Sequence, residues 1–343
     1  MITLHMTTYS RRQNGLLADA VESVLSQGYG DFEFVICDDA STDGTAAYLD
    51  ELAARDARVR VVRNARNVNS VAISLGRCMQ ASDPARPYVS WMFDDCVLLP
   101  GAFELLVRAA QASGADMVFG VTDVKLANGG VLPVGRGAPD DIRAGVATSS
   151  VLVPNGGILI GRAVFDAVGW YDPSIVLRRS CDWDLFRRIL GAGTSLATIP
   201  DVVMEEHGDL QPDSLRNSFT TTFDLMARFA EARDRSGLRL DLASCLAMPQ
   251  DWIPPNDWSD AERGAMQYMF LEYYLSVADI PHAVRWAKRL EPLLPKPSLM
   301  LRNLRTLSET HAGANGLMAA GAYAGALAGL FKREFDRAQD AAA

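Results

Sequence analysis

The chain has 343 residues, 49% of them hydrophobic, enough for one large domain or a main domain with an appendage around a substantial core. Thirty-three basic residues against forty-two acidic leave a net charge of -9, which argues against binding nucleic acid through a positive field and disfavours polyanionic partners in general. The five cysteines are scattered, with no C-x-x-C spacing to suggest zinc, and fit reduced thiols in a cytoplasmic protein.

The N-terminus, MITLHMTTYSRR, has no charged leader ahead of an apolar stretch, so it reads as a strand and not as a secretory signal. From there, short apolar runs alternate with helix-like stretches. ITLHMTT precedes LLADAVESVLSQ, FEFVIC precedes GTAAYLDELAARD, VRVV precedes SVAISLGRCMQA, and YVSWMF precedes PGAFELLVRAAQAS. Four strand-helix units in a row predict a doubly wound sheet of parallel strands, with Pro100 near the first helical position of the fourth helix.

Ligands of such sheets bind outside the carboxyl ends of the strands. Two acidic pairs, Asp38-Asp39 and Asp94-Asp95, stand where the second and fourth strands should end, so both are expected to face one crevice.

After residue 116 the rhythm changes. DMVFGVTDVKL and VLPVG flank an Asn-Gly-Gly turn and predict a hairpin, and a Gly/Pro-rich loop runs on to residue 157. SCDWDLFRRILGAG predicts a short helix closed by glycine, with Leu185, Phe186 and Ile189 as its apolar stripe. SLATIPDVVMEEHGD predicts a strand ending near His207. Beyond Pro212 the pattern is helical: Leu215, Phe219, Phe223, Met226 and Ala230 recur at helical spacing, and Ser259 with Glu262 forms a capping-box pattern. Gly321, Gly325 and Gly329 give one helix face that another backbone could approach closely; the stretch is short and alanine-rich for a membrane span.

TYSRR, VICDDASTDGT, FDD, GWYDPSIVLRRSCDWDLFRRI and EEHGD occur in this order, and together they resemble the inverting family 2 glycosyltransferases of the GT-A fold. The resemblance covers roughly the first two thirds of the chain. It implies an α/β architecture, a Rossmann-like doubly wound mixed sheet over residues 1–212, followed by an α-helical C-terminal region over 213–343. It also implies transfer of a sugar from a nucleotide-sugar, with UDP as the expected carrier, to a hydroxyl of a glycan or lipid-linked acceptor.

Residue by residue, the resemblance puts Asp39 on the nucleobase, where a carboxylate accepting the imide N–H of uracil distinguishes it from cytosine. The alternative is that Asp38 and Asp39 cap the helix beginning near Thr42 or Asp43. Thr8, Tyr9 and Arg11 are placed beside the base, with Asp38 and Asn67 also on the nucleotide. Asp94 would touch the ribose or donor sugar. Asp95 would ligate a divalent cation, Mn²⁺ or Mg²⁺, on the diphosphate, and His207 would join the metal or diphosphate. Asp182 is the implied general base, alternatively a helix cap.

Departures from the family pattern are Met92 and Cys181 where acids are common, Asn69 in place of a glycine, and Leu75 in place of an asparagine. A nucleotidyltransferase, or a catalytically inactive relative that binds a nucleotide-sugar or a glycan, are the alternative functions. A homo-oligomer through the C-terminal helices, and a peripheral contact at the inner face of the membrane, are further expectations.

Overall fold

The computed structural model describes residues 1–13, 15–149, 152–178, 180–207, 223–247, 258–277, 279–290 and 292. The first half alternates as expected: β1 (Ile2–Thr8), α1 (Leu16–Leu25), β2 (Phe32–Asp38), α2 (Thr45–Arg55), β3 (Val59–Arg63), α3 (Val71–Ala81), β4 (Tyr88–Phe93), a short β5 (Cys96–Leu98) and α4 (Ala102–Ser113). There follow β6 (Met117–Lys125), β7 (Val131–Val134), α5 (Pro139–Gly145), β8 (Ile158–Gly161), α6 (Arg162–Val168), α7 (Cys181–Gly191) and β9 (Leu196–Glu206). The helices α8 (Phe223–Ser236), α9 (Leu242–Leu246), α10 (Asp260–Ser276) and α11 (Ile280–Leu290) complete the described elements.

The strands form one mixed sheet in the order β3-β2-β1-β4-β8-β6-β9-β5, with β7 pairing β6. The first four are parallel, and β8 runs antiparallel to β4 and β6. Side-chain alternation sorts β1 between two layers: Ile2, Leu4 and Met6 join α1 and α4 in one core, whereas Thr3 and His5 are buried on the opposite face. That second face packs Trp91 and Phe119 against Leu185, Phe186 and Ile189 of α7 and Ala72 and Leu75 of α3. Helices therefore cover both faces, which is why the central strands read as near-continuous apolar runs.

Three local expectations change. Pro100 lies ahead of α4, whose N-cap is Gly101 at φ 80°. The loop before residue 157 contains α5, which has proline at its first turn. The β5 strand was not expected; three residues are too few to show alternation. The tryptophan-bearing helix α7 does carry the predicted stripe, and Asp184 in it is wholly buried, accepting 2.9 Å bonds from Arg187 and Arg188. Arg188 also donates to the Val168 and Trp170 carbonyls, tying the Gly-Trp-Tyr-Asp segment to α7.

The chain groups into two compact units, one of residues 1–173, 177–219 and 238–248, the other of 174–176, 220–237 and 249–343. In the second unit the expected capping box is present: Ser259 Oγ accepts from the Glu262 N–H, and the Glu262 carboxylate accepts from the Ser259 N–H. Phe270 of α10 stacks on Trp286 of α11 with ring centroids 4.5 Å apart. Met226 and Ala230 are buried on α8; Leu215, Phe219 and the Gly321, Gly325, Gly329 face lie outside the described residues. No helix among the described residues is long and apolar enough to cross a membrane.

Candidate functional site

The parallel register brings three strand ends level. Thr8 of β1 pairs with Asp38 of β2, and Thr7 pairs with Phe93 of β4, so the residues that follow leave the sheet side by side. The Asp39 N–H then donates to the Thr8 carbonyl at 2.9 Å. Strand order 3-2-1-4 reverses direction between β1 and β4, the position where open α/β sheets leave a crevice.

The two acids of the first pair have different surroundings. Asp38 is 1% exposed; its Oδ1 accepts from the Ser41 N–H at 2.9 Å and its Oδ2 is 3.6 Å from Arg63 Nε. Asp39 is 5% exposed and accepts three bonds: Asn64 Nδ2 at 2.8 Å and Val68 N–H at 2.9 Å on Oδ1, and Asn69 N–H at 2.9 Å on Oδ2. A carboxylate has about four acceptor positions, which leaves room for one more donor on Oδ2. Burial pushes the Asp39 carboxyl above its ordinary range, and the three N–H donors oppose that push.

Neither acid caps α2. Its N-cap is Gly44 at φ 92°, and Asp43 takes the Thr45 N–H and hydroxyl instead. Asp43 Oδ2 also accepts from the Arg12 N–H at 2.9 Å, while Ser41 Oγ accepts from the Ser10 N–H at 2.8 Å and Ser10 Oγ accepts from the Thr42 N–H. The loops after β1 and β2 are thus laced together. Ser10 and Ala40, both at positive φ, stand in these loops, and Asn69 at φ 45° stands in the turn after β3. Tyr9, which follows β1, is 46% exposed.

Asp94 and Asp95 follow β4. Asp94 is 8% exposed, its Oδ1 lies 3.7 Å from Arg11 Nε, and it is raised from 3.8 to about 7, by burial first and by the neighbouring Asp95 charge second. Arg11, the Thr8 hydroxyl and the Tyr9 N–H act in the opposite direction. The His207 N–H donates to the Asp95 carbonyl at 2.9 Å, so the end of β9 is fastened beside this acid, with the pairing Cys96 to Glu206 next to it. His207 Nε2 lies 3.7 Å from Glu205, which also pairs with Lys125.

The raised Asp94 has a consequence for folding. A carboxyl whose pKa rises on folding stabilises the protein fully below its unfolded pKa, and that contribution is lost as pH increases through the folded value. In chelator-treated protein, Asp94→Asn is therefore expected to raise stability at pH 8 by about 2–4 kcal/mol. The gain should shrink as pH drops below about 7 and vanish near 3.8, as thermal unfolding of both proteins across pH will show.

Asp182 is the second residue of α7 and is half-buried. The N-cap is Ser180, so Asp182 is not the cap. The helix is set against β4 by Phe186 stacking on Trp91, centroids 5.9 Å apart, three residues before Asp94. Trp91 also donates Nε1–H to Asn155 Oδ1 at 3.1 Å. A Cβ on the next residue, Gly156, would meet Met204 Cε at 2.6 Å and the Trp91 carbonyl at 3.2 Å, and its φ of 155° is one that side chains rarely adopt, so a substitution there would be strained.

Thr8, Arg11, Asp38, Asp39, Asp94, Asp95 and His207 are joined by this web of contacts, with Tyr9 between them. Asn67 sits immediately before the two amides that hold Asp39, and its Oδ1 is buried without a partner. Ser10, Ser41, Asp43, Arg63 and Asn64 belong to the same web and were not singled out from the sequence. Among the described residues no three His, Cys, Asp or Glu side chains form a preformed metal cage. The backbone contact makes Asp95 and His207 neighbours across β5 and β9, and a carboxylate and an imidazole are donor types that fit Mn²⁺ when substrate oxygens complete the shell.

Residues 3–150 match the model of Glycosyl transferase family 2. Over 212 residues the chain is 27% identical to EpsE of Bacillus subtilis, a protein named as a glycosyltransferase, covering 61% of this chain and 73% of that one. WcaA of Escherichia coli, named for glycosyl transfer in colanic acid biosynthesis, is 22% identical over 248 residues, 71% of this chain and 86% of that one. The crystal structure of S. aureus TarS 1-349 in complex with UDP-GlcNAc superposes with a TM-score of 0.53 at 12% identity, over 89% of this chain and 87% of that one. The likeness extends the GT-A fold to this chain.

Proposed function

Because residues 3–150 belong to glycosyl transferase family 2, we propose that this chain is an inverting glycosyltransferase that moves a sugar from a UDP-sugar to a hydroxyl of a glycan or lipid-linked acceptor. The observation that carries the reading is the levelling of three adjacent parallel strand ends, with Asp39 and Asp94 buried on either side of Thr8. The UDP-GlcNAc held by the TarS structure supports the choice of carrier, and names such as WcaA support a polysaccharide pathway. The reaction takes place in the 1–212 region, with 213–343 serving packing, oligomerisation or acceptor contact. We place it in the cytoplasm, at the inner face of the membrane when the acceptor is lipid-linked.

The residues divide the work. Asp39 uses its remaining acceptor position for the uracil imide N–H, with the exposed Tyr9 ring against the base and Asn67 at its edge. Thr8 and Asp38 shape the floor, and Asp94 accepts from the ribose or sugar hydroxyls. Arg11, 3.7 Å from Asp94, exchanges part of that attraction for the diphosphate. Asp95 and His207 would hold Mn²⁺ or Mg²⁺, which supplies positive charge to the leaving diphosphate when bound.

Inversion requires the acceptor oxygen to attack the anomeric carbon from the face opposite the diphosphate. Asp182 takes the proton that oxygen loses; the oxygen-carbon bond forms as the carbon-phosphate oxygen bond breaks, and UDP leaves. Asp182 lies in the first turn of an eleven-residue helix, close to its N-terminus.

A thermal-shift screen of UDP, GDP, dTDP and CMP with and without Mn²⁺ tests the reading. Saturating UDP is expected to raise the midpoint by several degrees, about 2–3 kcal/mol at a hundredfold excess over Kd, and by more with Mn²⁺. A larger shift with GDP would reassign the base, and no shift with any nucleotide would overturn the proposal.

A further inference from the structure

We infer that Asn64 is the positioning residue that keeps Asp39 an acceptor-only carboxylate and thereby sets the preference for uracil over cytosine; this rests on the base-binding role of Asp39 proposed above. Asn64 is 7% exposed and lies 25 residues along the chain from Asp39. It supplies the side-chain donor among the three N–H groups that hold that carboxylate; the others are the Val68 and Asn69 amides.

Its own backbone N–H is committed to the Asp38 carbonyl at 3.0 Å. The side-chain NH₂ is shared between Asp39 Oδ1 at 2.8 Å and Ser74 Oγ at 3.1 Å. Its Oδ1 is buried with no partner. A turned amide would set oxygen against oxygen at Asp39, so the orphaned Oδ1 is the cost of presenting a donor to an anion. The surrounding turn is fixed by Asn69 at φ 45° and by Ser70, whose side chain caps α3.

The charge state of Asp39 decides which base it reads. A carboxylate accepts the uracil N3–H but meets the cytosine N3 lone pair with its own; a protonated carboxyl can donate its O–H to cytosine N3. Burial pushes Asp39 toward the protonated form. The charged groups facing it are Asp38, which pushes the same way, and Arg63, 3.6 Å from Asp38. The first turn of α3 carries no acid, and Arg66 of the intervening turn is exposed. The fixed donors are therefore what maintains the anion, and Asn64 is the one a substitution can remove.

The test is the ratio of CDP to UDP dissociation constants, by calorimetry on the full chain, from about pH 5 to about pH 8. The diphosphate is common to both nucleotides and its titration cancels. Wild type is expected to favour UDP across this range. Asn64→Leu, which removes the donor and leaves little room for water, is expected to move the pH at which that preference is lost upward by about one unit. Below that pH the ratio should drop about tenfold relative to wild type.

A merely structural role would weaken both nucleotides together and leave the pH dependence of their ratio unmoved, and that result overturns the assignment. If Asn64→Leu does not fold by thermal unfolding, Asn64→Ala removes the same donor without bulk and is read the same way. Failure of the wild-type chain to bind UDP would instead overturn the reading of Asp39 on which the inference depends.

Discussion

Asp182→Asn is expected to lower kcat by a factor of about a hundred to ten thousand, the usual contribution of a positioned general base, while UDP affinity changes by less than about twofold. Asparagine is nearly isosteric and can still accept bonds at a helix N-terminus, so α7 should retain its position. That position has several supports besides Asp182. It is set by Phe186 against Trp91, by Trp183 donating to the Val146 carbonyl at 2.8 Å, and by the buried Asp184 between two arginines. Loss of turnover with intact UDP binding by calorimetry is thus attributable to the missing proton acceptor. A variant that still transfers sugar at near wild-type rate would remove Asp182 from the mechanism.

The second large effect is expected at Asp95. Asp95→Asn should abolish the Mn²⁺-dependent part of UDP affinity and reduce turnover by about two to four orders of magnitude, because several kcal/mol of charge compensation at the leaving diphosphate are lost. The backbone contact from the His207 N–H to the Asp95 carbonyl is untouched by this change, so the end of β9 should remain fastened. Calorimetric titration of UDP with and without Mn²⁺ is the measurement. Equal Mn²⁺ enhancement in variant and wild type would move the cation away from Asp95.

Much of this was legible from the sequence, and the reasons are local. An apolar run that ends in two acids and small turn-formers predicts a buried strand reaching a surface edge, and β2 and β4 both follow that rule. The stripe of Leu185, Phe186 and Ile189 gives α7, and Ser259 with Glu262 gives the start of α10. Partnership between distant residues was less visible. Nothing in the spacing shows that Asn64 folds back on Asp39 or that Asp43, not Asp38 or Asp39, serves the start of α2. The strain a side chain would meet at Gly156 appears only with its φ of 155° and its closeness to Met204 and the Trp91 carbonyl. β5 is stabilised by pairing with β9, a contact from more than a hundred residues later, which no window on Cys96–Leu98 contains.

The lacing of the first two loops bears on timing. Ser10, Arg12, Ser41, Thr42 and Asp43 bind one another before any nucleotide arrives, so the entropy lost in immobilising those backbones belongs to folding and not to association. On the proposed function, a sugar donor entering this edge would meet a socket already cast, and its binding free energy would be left for orienting the sugar.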